Sequence, residues 1–437
     1  MSTAAPPERP AVPPPRSWAW PESLRALRHR NFRLFFIGQM VSVIGSWMQF
    51  TAQAWLVYRL TRSELLLGLV GFADKVPVFL FGLAGGLVAD RFDRHRVVIA
   101  TQTASMIQAL VLGGLVVSGR ARIWHIFVLV TAQGIINAFD LPARQSFHAA
   151  MVAPEDLPNA LALNSSIFNA ARVIGPAVAG VLVALIGEGP CFLINGFSFM
   201  AVLAGLLMMK FDRPRAGGGD PAPLDSLVQG ILFVWRNPPV RALMILVGLV
   251  SLCGMPYLVF MPVFAGEILG GGPRGLGILT GCAGMGAFVS AVTLARRKSV
   301  RGLGRVVAAG SVAFGLTLIL FSLSRVFALS AAILVVVGFA MIAMAAATNL
   351  LLQALVPDSL RGRVMSLYTV MFVGMAPFGS LAAGAMAHRL GTPATVAIGG
   401  ALSAAAGGIF ANRIPQLRRF VRYPIPESAV SPAPESV

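Results

Sequence analysis

The stretch Gly86-Leu87-Val88-Ala89-Asp90-Arg91-Phe92-Asp93-Arg94-His95-Arg96 decides how this chain folds. An apolar segment, residues 65–89, runs into it, and a second, residues 97–117, runs out of it. Between the two stand Arg91, Arg94, His95 and Arg96 with two carboxylates, Asp90 and Asp93. Apolar runs of ~20 residues are long enough to cross a bilayer as helices. A charged turn this short joins two such helices only where they meet water and lipid headgroups. Its basic character predicts the cytoplasmic side.

The composition extends that reading to the whole chain. Of 437 residues, 56% are hydrophobic and 12% charged, with a mean hydropathy of +0.77. Soluble domains carry about 25% charged residues, so this chain cannot be solvated as a globule. The net charge of +18 does not point to nucleic acid, because the cations sit in loops between apolar runs. Anionic headgroups are the partner expected for them. Cys191, Cys253 and Cys282 fall inside apolar runs and make neither a disulfide framework nor a C-x-x-C pair. His29, His95, His125, His148 and His388 are scattered without metal-ligand spacing. No metal or cofactor is expected.

Taken in order, residues 1–21 are a Pro-rich tail with no apolar pattern, expected to be disordered and cytoplasmic. No signal peptide opens the chain, so the first span is expected to act as the insertion signal. Ser23 to Arg30 predicts a short basic helix lying on the membrane surface. Apolar runs predict twelve spans, near 32–57, 65–88, 96–117, 123–144, 159–186, 190–209, 241–264, 275–295, 304–323, 326–350, 362–387 and 392–411. The fold class expected is therefore all-α and integral to the membrane. On this map 26 of the 35 Lys and Arg lie in the two tails and the loops that follow even-numbered spans or share their side. Seven lie in the opposite loops, and Lys75 and Arg172 lie within spans. That asymmetry predicts both termini, including the tail 412–437, in the cytoplasm.

The longest loop, 210–240, opens with linker composition at Arg213, Pro214 and Gly217 to Gly219. Leu224, Leu227, Val228, Ile231, Leu232 and Trp235 then recur at helical spacing, predicting an interfacial helix ended by Pro238. The loop divides the chain into two six-span bundles, 22–209 and 241–411. The halves repeat: Pro154 and Leu157 after the fourth span match Pro357 and Leu360 after the tenth, each pair offset by 203 residues. A parallel repeat of this kind suits a transporter built from two bundles.

The opening stretch resembles the loop between helices 2 and 3 of the major facilitator superfamily, G-x-x-x-D-R-x-G-R-R. Gly86, Asp90, Arg91 and Arg94 stand at its positions, Arg96 supplies a further arginine, and Asp93 stands where the pattern has Gly. Four other stretches, Asn137 to Phe147, Asn159 to Ser165, Asn169 to Ala177 and Asp358 to Ser366, extend the likeness. Together they resemble a branch of proton-driven exporters that includes the enterobactin exporter and macrolide efflux proteins. The resemblance implies a monomeric drug or siderophore exporter of the inner membrane, exchanging its solute for protons. It implies that the first loop is a gate latch, steadying the outward-facing state. Asp90 is expected to cap the eleventh helix near Gly362 to Ser366 when the cytoplasmic faces meet, and Asp140 to pair with Arg91 or Arg94.

Several residues stand out on physical grounds. Asp74 and Lys75 lie ten residues inside the second span, roughly 15 Å deep. A charge there costs at least ~2.5 kcal/mol, so each should face the bundle interior or a wet cavity. Adjacent helical residues point about 100° apart, which predicts other partners for them, and Arg172 is the only cation at similar depth. Asp74 is read as half of a structural ion pair, as a carboxylate that carries the coupling proton, or, if the helix is displaced outward, as lying with Lys75 near the headgroups. Gly175-Pro176 in the fifth span and Pro377 in the eleventh are candidate hinges or packing points. Gln39, Trp47, Gln49 and Gln53 in the first span, Asn137 in the fourth, Asn169 in the fifth, Tyr257 in the seventh and Asn349 in the tenth are the candidate substrate wall. In the superfamily the first, fourth, seventh and tenth helices line the cavity, and a few amides and aromatics on an apolar wall suit an amphipathic solute.

Other classes fit less well. An enzyme should show clustered catalytic residues or a G-x-x-x-x-G-K-[ST] nucleotide loop, and neither is present. A channel should show a symmetric polar ring, whereas two unequal half-repeats suit alternating access. Import or facilitated diffusion on the same fold remains an open direction.

Overall fold

The computed structural model describes residues 21–209, 223–297 and 299–414. The expected tails therefore lie almost wholly outside the described residues, as does the Gly-rich start of the linker. Twelve helices are long and apolar enough to cross a membrane. The first half runs Arg30–Thr61, Glu64–Arg91, Arg94–Val117, Ile123–Met151, Leu157–Ile186 and Gly189–Leu207. The second half runs Pro238–Ile268, Gly272–Ala295, Leu303–Leu323, Phe327–Leu355, Asp358–Leu390 and Thr392–Ala411. These are referred to as spans one to twelve.

Every expected span is present, and two differ in kind. The seventh is broken. Its regular part ends at Cys253, a tight 3₁₀ turn follows over Met255–Leu258, and a π-turn closes it at Phe264–Ile268. Pro256 and Pro262 lack the N–H that would continue the helix. The eleventh begins at Asp358 and carries a π-turn, Val370–Gly374, just ahead of Pro377. A π-turn frees backbone carbonyls, and that of Phe372 accepts a hydrogen bond of 2.6 Å from Ser251 Oγ on the seventh span. The fourth span runs seven residues past its expected end.

Each half starts with a short element that ties it down. Glu22–Arg28 is a 3₁₀ helix, not an amphipathic α-helix lying free on a membrane. It is clasped to the loop before the fifth span. The buried Asp156 carboxylate meets Arg25 at 2.5 Å, Arg28 at 2.8 Å and His29 at 2.6 Å, and Asn159 accepts from the Ala26 N–H. The helix Pro223–Arg236 stands at the same place before the seventh span, and Gln229 accepts from Arg363 near the start of the eleventh. The repeat therefore includes the segment preceding each bundle.

The two cores differ. In the second half one continuous apolar core runs through the bundle. In the first half the core is divided. Leu56, Leu112 and Phe192 belong to one cluster, and Phe32, Phe35, Phe147 and Leu206 to another. Between them lies a polar layer. Burying amides in a membrane bundle is costly unless each is hydrogen-bonded, so this layer is where a solute site is to be sought.

Candidate functional site

The halves pack together at one end and part at the other. The fifth span lies on the eighth and the second on the eleventh. Gly180 abuts Gly277, and Gly68 abuts Gly384; a Cβ at any of the four would meet backbone at about 2.9 Å or less. Small residues permit this close approach. At the same end Tyr58 donates to Glu267 across the halves at 3.0 Å, and Arg62 lies 3.8 Å from that carboxylate. Towards the opposite end, which carries the Asp90 loop and is called here the basic face, contact continues as far as Phe79 against Phe378 and Gly374. Beyond that, Gly82, Gly86 and Gly362 have open space where a side chain would begin. The molecule is open at the basic face.

A cavity of about 440 Å³ occupies the polar layer of the first half. Its wall is a chain of amides. Asn195 donates to Gln49 at 2.7 Å, Gln49 to Gln108 at 3.1 Å, and Gln108 to the Leu129 carbonyl at 3.2 Å. Gln133 donates to Ser105 at 3.1 Å and to Asn137 at 3.2 Å. Gln39 also lines the cavity, and its buried Oε1 has no hydrogen-bond partner. Trp47, Phe50 and Phe168 supply the aromatic part, edge to face at 5.6–5.8 Å. Gln53 completes the first-span contribution.

Two carboxylates line this cavity, and each has a cation of its own. Asp140, 3% exposed, accepts from Thr101 at 2.7 Å and Gln102 at 2.9 Å, and pairs with Arg144 at 3.1 Å. Its partner is thus the residue one turn on in the same helix, not Arg91 or Arg94. Asp74 pairs with Lys75 at 2.8 Å. The 100° between neighbouring side chains is bridged by the four-carbon lysine stem, which curls round the helix. Arg172 accordingly does not serve Asp74. Its guanidinium lies 5.7 Å from the centroid of the Trp47 ring.

The Asp90 loop is disengaged. Asp90 is exposed, and Arg94 is 3.8 Å from it. Arg91 is exposed as well. Asp93 caps the third span by accepting from the His95 N–H at 2.9 Å, with φ −60°. An Asp in an ordinary backbone conformation thus replaces the pattern's Gly and satisfies an otherwise free helix N–H. The eleventh helix starts at Asp358, so Gly362 to Ser366 lie inside it and their N–H groups are already used. Asp90 cannot cap there; Arg361 and Arg363 are the cations of that helix nearest its start.

Three expected wall residues lie elsewhere. Asn169 donates back to Ser165 of its own helix at 2.8 Å. Asn349 accepts from Gln353 at 2.6 Å. Tyr257 faces a separate apolar cavity of about 210 Å³ among the seventh, eleventh and twelfth spans. The 3₁₀ turn advances ~120° per residue instead of ~100°, which turns Tyr257 into its own bundle and presents Leu258 to the polar cavity. Gly175 meets Trp47 and Ile44, so the Gly175-Pro176 seam packs the fifth span on the first. Pro377 is buried at the restart of the eleventh helix. Missing from the expected wall were Gln102, Ser105, Gln133, Arg144 and Asn195, together with Gln108 behind them. Thr101, Gln102, Ser105 and Gln108 recur at helical spacing in an otherwise apolar span, and that stripe was the available signal.

Twelve spans in two repeated bundles, packed together at one end and with a polar cavity walled by the first, define a transporter of the major facilitator type. The chain belongs to the transmembrane secretion effector family of that superfamily, which matches residues 22–429. It is similar to the staphyloferrin A transporter of Staphylococcus aureus, 26% identical over 84% of this chain and 92% of that one. The enterobactin exporter EntS of Citrobacter koseri is 22% identical, over 94% and 99%. The multidrug efflux pump Tap of Mycolicibacterium fortuitum is 23% identical, over 83% and 90%. Among solved structures the nucleoside transporter NupG superposes with a TM-score of 0.68 at 13% identity, covering 88% of this chain and 99% of that one. A bacterial homologue of the lysosomal transporter Spinster gives 0.67 at 15%, covering 93% and 99%. The protein is a multi-pass secondary transporter of a small molecule, not an enzyme.

Proposed function

We propose that the protein exports a small amphipathic molecule, of the drug or siderophore kind, from the cytoplasm across the inner membrane in exchange for protons. The observation that carries this reading is the cavity itself: amides and aromatics on one wall, two carboxylates within it, and an opening at the basic face. The positive-inside bias supports a cytoplasmic position for that face and for both termini. The three relatives named above transport siderophores or drugs according to their names, which supports the substrate class, and two of them, the enterobactin exporter and the efflux pump Tap, support the direction. Asp74 is the proposed proton carrier, because only one of its oxygens is engaged by Lys75. Asp140, with three partners, is the fixed anion. The two bundles, 22–209 and 241–411, rock about Gly175-Pro176 and Pro377, and the protein works as a monomer.

The Asp90 loop is the proposed inner latch. When the basic face closes, Asp90 meets Arg361 or Arg363. An exposed ion pair is worth up to ~1 kcal/mol, or about fivefold in the population of the closed state. Asp90→Asn is expected to insert normally and to transport several-fold more slowly, with the loss shared by Asp90→Ala. Unchanged transport in both variants would leave Asp90 with a topological role alone.

The export reading is tested in a susceptible host expressing the protein, screened against antibiotics, dyes and siderophores. Raised tolerance, together with lower steady-state accumulation of the same labelled compound, is expected. Higher accumulation in expressing cells would establish import instead.

A further inference from the structure

Charge does not balance next to the aromatic wall of the cavity, where Arg172 stands beside Trp47 and is not itself on the lining. Asp74 with Lys75 and Asp140 with Arg144 make two neutral pairs. Arg172 is left over. It sits mid-way along the fifth span, half-buried, with no carboxylate among the described residues within ion-pair distance. A lone cation at this depth costs at least ~2.5 kcal/mol on insertion. The Trp47 ring face, 5.7 Å away, offsets part of that through its negative quadrupole. Trp47 lines the cavity, and so does Phe168, one helical turn before Arg172. On the other side Arg172 adjoins the second half. Its backbone carbonyl lies 2.7 Å from where a Cβ on Gly284 would be. An unpaired cation thus stands at the junction between the bundles, beside an aromatic wall.

We propose that Arg172 is the anion-binding element of the substrate site. The solute is an amphipathic anion whose flat apolar body lies on Trp47, Phe50 and Phe168. Its acidic group, a carboxylate, sulfonate, phosphate or ionised catechol, displaces Trp47 as the partner of the Arg172 guanidinium. A guanidinium offers up to five N–H donors in a planar fork that matches such a group. Because Arg172 lies in the first half but against the second, an anion bound there touches both bundles and favours the state in which they close on it. This rests on the export reading for its site and adds the charge of the solute.

The test is a binding measurement, which needs no proton gradient and no transport. Purified protein in nanodiscs of zwitterionic lipid is titrated with three fluorescent probes of one shape: pyrenebutyrate, pyrenebutanol and pyrenebutylamine. The wild type is expected to bind pyrenebutyrate at least tenfold more tightly than the alcohol, and the amine most weakly. Arg172→Lys should keep most of that preference, and Arg172→Gln should remove it. Arg172→Gln is compared only where it elutes as a single species, and the probe series on the wild type stands without it. Equal binding of butyrate and alcohol by the wild type, or an unchanged ratio in a folded Arg172→Gln protein, overturns the proposal. A neutral compound exported against its gradient would sink the anion proposal and leave proton-driven export standing. Selective anion binding without coupled transport would do the reverse.

Discussion

Asp74→Asn is expected to abolish uphill transport while leaving binding of the solute within a few-fold of wild type. Asp74 lies on the cavity wall with Lys75 as its one partner. Losing the carboxylate removes the proton carrier and strands a lysine ~15 Å deep, so the single variant should also be made in lower yield. The double variant Asp74→Asn with Lys75→Gln separates the two effects. It removes the pair together, which relieves the stranded charge, and yield should recover. Accumulation should still stop at the equilibrium ratio. A double variant that concentrates its solute as well as wild type would show that the pair is structural and that the proton travels elsewhere.

Asp140→Asn should act through stability first. Asp140 is buried and holds Arg144, Thr101 and Gln102. Removing one member of a buried pair leaves the other uncompensated, at ~3–5 kcal/mol where both are fully buried. Arg144 is a quarter exposed, so the lower end, ~3 kcal/mol, applies. The melting temperature in detergent should fall by several degrees, and Asp140→Asn with Arg144→Gln should regain most of it. Unchanged melting of the single variant would mean that the pair is already solvated.

What was legible in the sequence follows from which physical signals are one-dimensional. A span is an apolar run closed by charge, so Arg30–Thr61 through Thr392–Ala411 could be read along the chain. The break in the seventh span was spelled by Gly254, Pro256 and Pro262, but its consequence was not. Whether Tyr257 turns to the cavity or into its own bundle depends on how many degrees each residue advances, which a hydropathy pattern does not carry. Asn349 and Asn169 failed for a related reason: an amide on a helix can bond back to its own backbone or to the residue one turn away. The pair Asp140–Arg144 was available at i, i+4 spacing. The pair Asp74–Lys75 was discounted by helix angle alone, without the reach of the lysine stem. The buried stripe Thr101, Gln102, Ser105 and Gln108 shows that polar residues at apolar spacing mark a site as surely as apolar ones mark a core.

The central claim is that the proton gradient drives the solute through this cavity. One inward proton releases ~2.3 kcal/mol per 100 mV and ~1.4 kcal/mol per pH unit. Together these support a concentration ratio of a few hundred, at ~1.4 kcal/mol per tenfold. The direct measurement uses purified protein in sealed vesicles carrying a dye that reports internal pH, with the solute found in the growth screen. Adding solute should dissipate an imposed pH gradient, and the solute should accumulate above its equilibrium ratio until an uncoupler is added. Equal rate and equal final ratio with the gradient already collapsed would contradict the account.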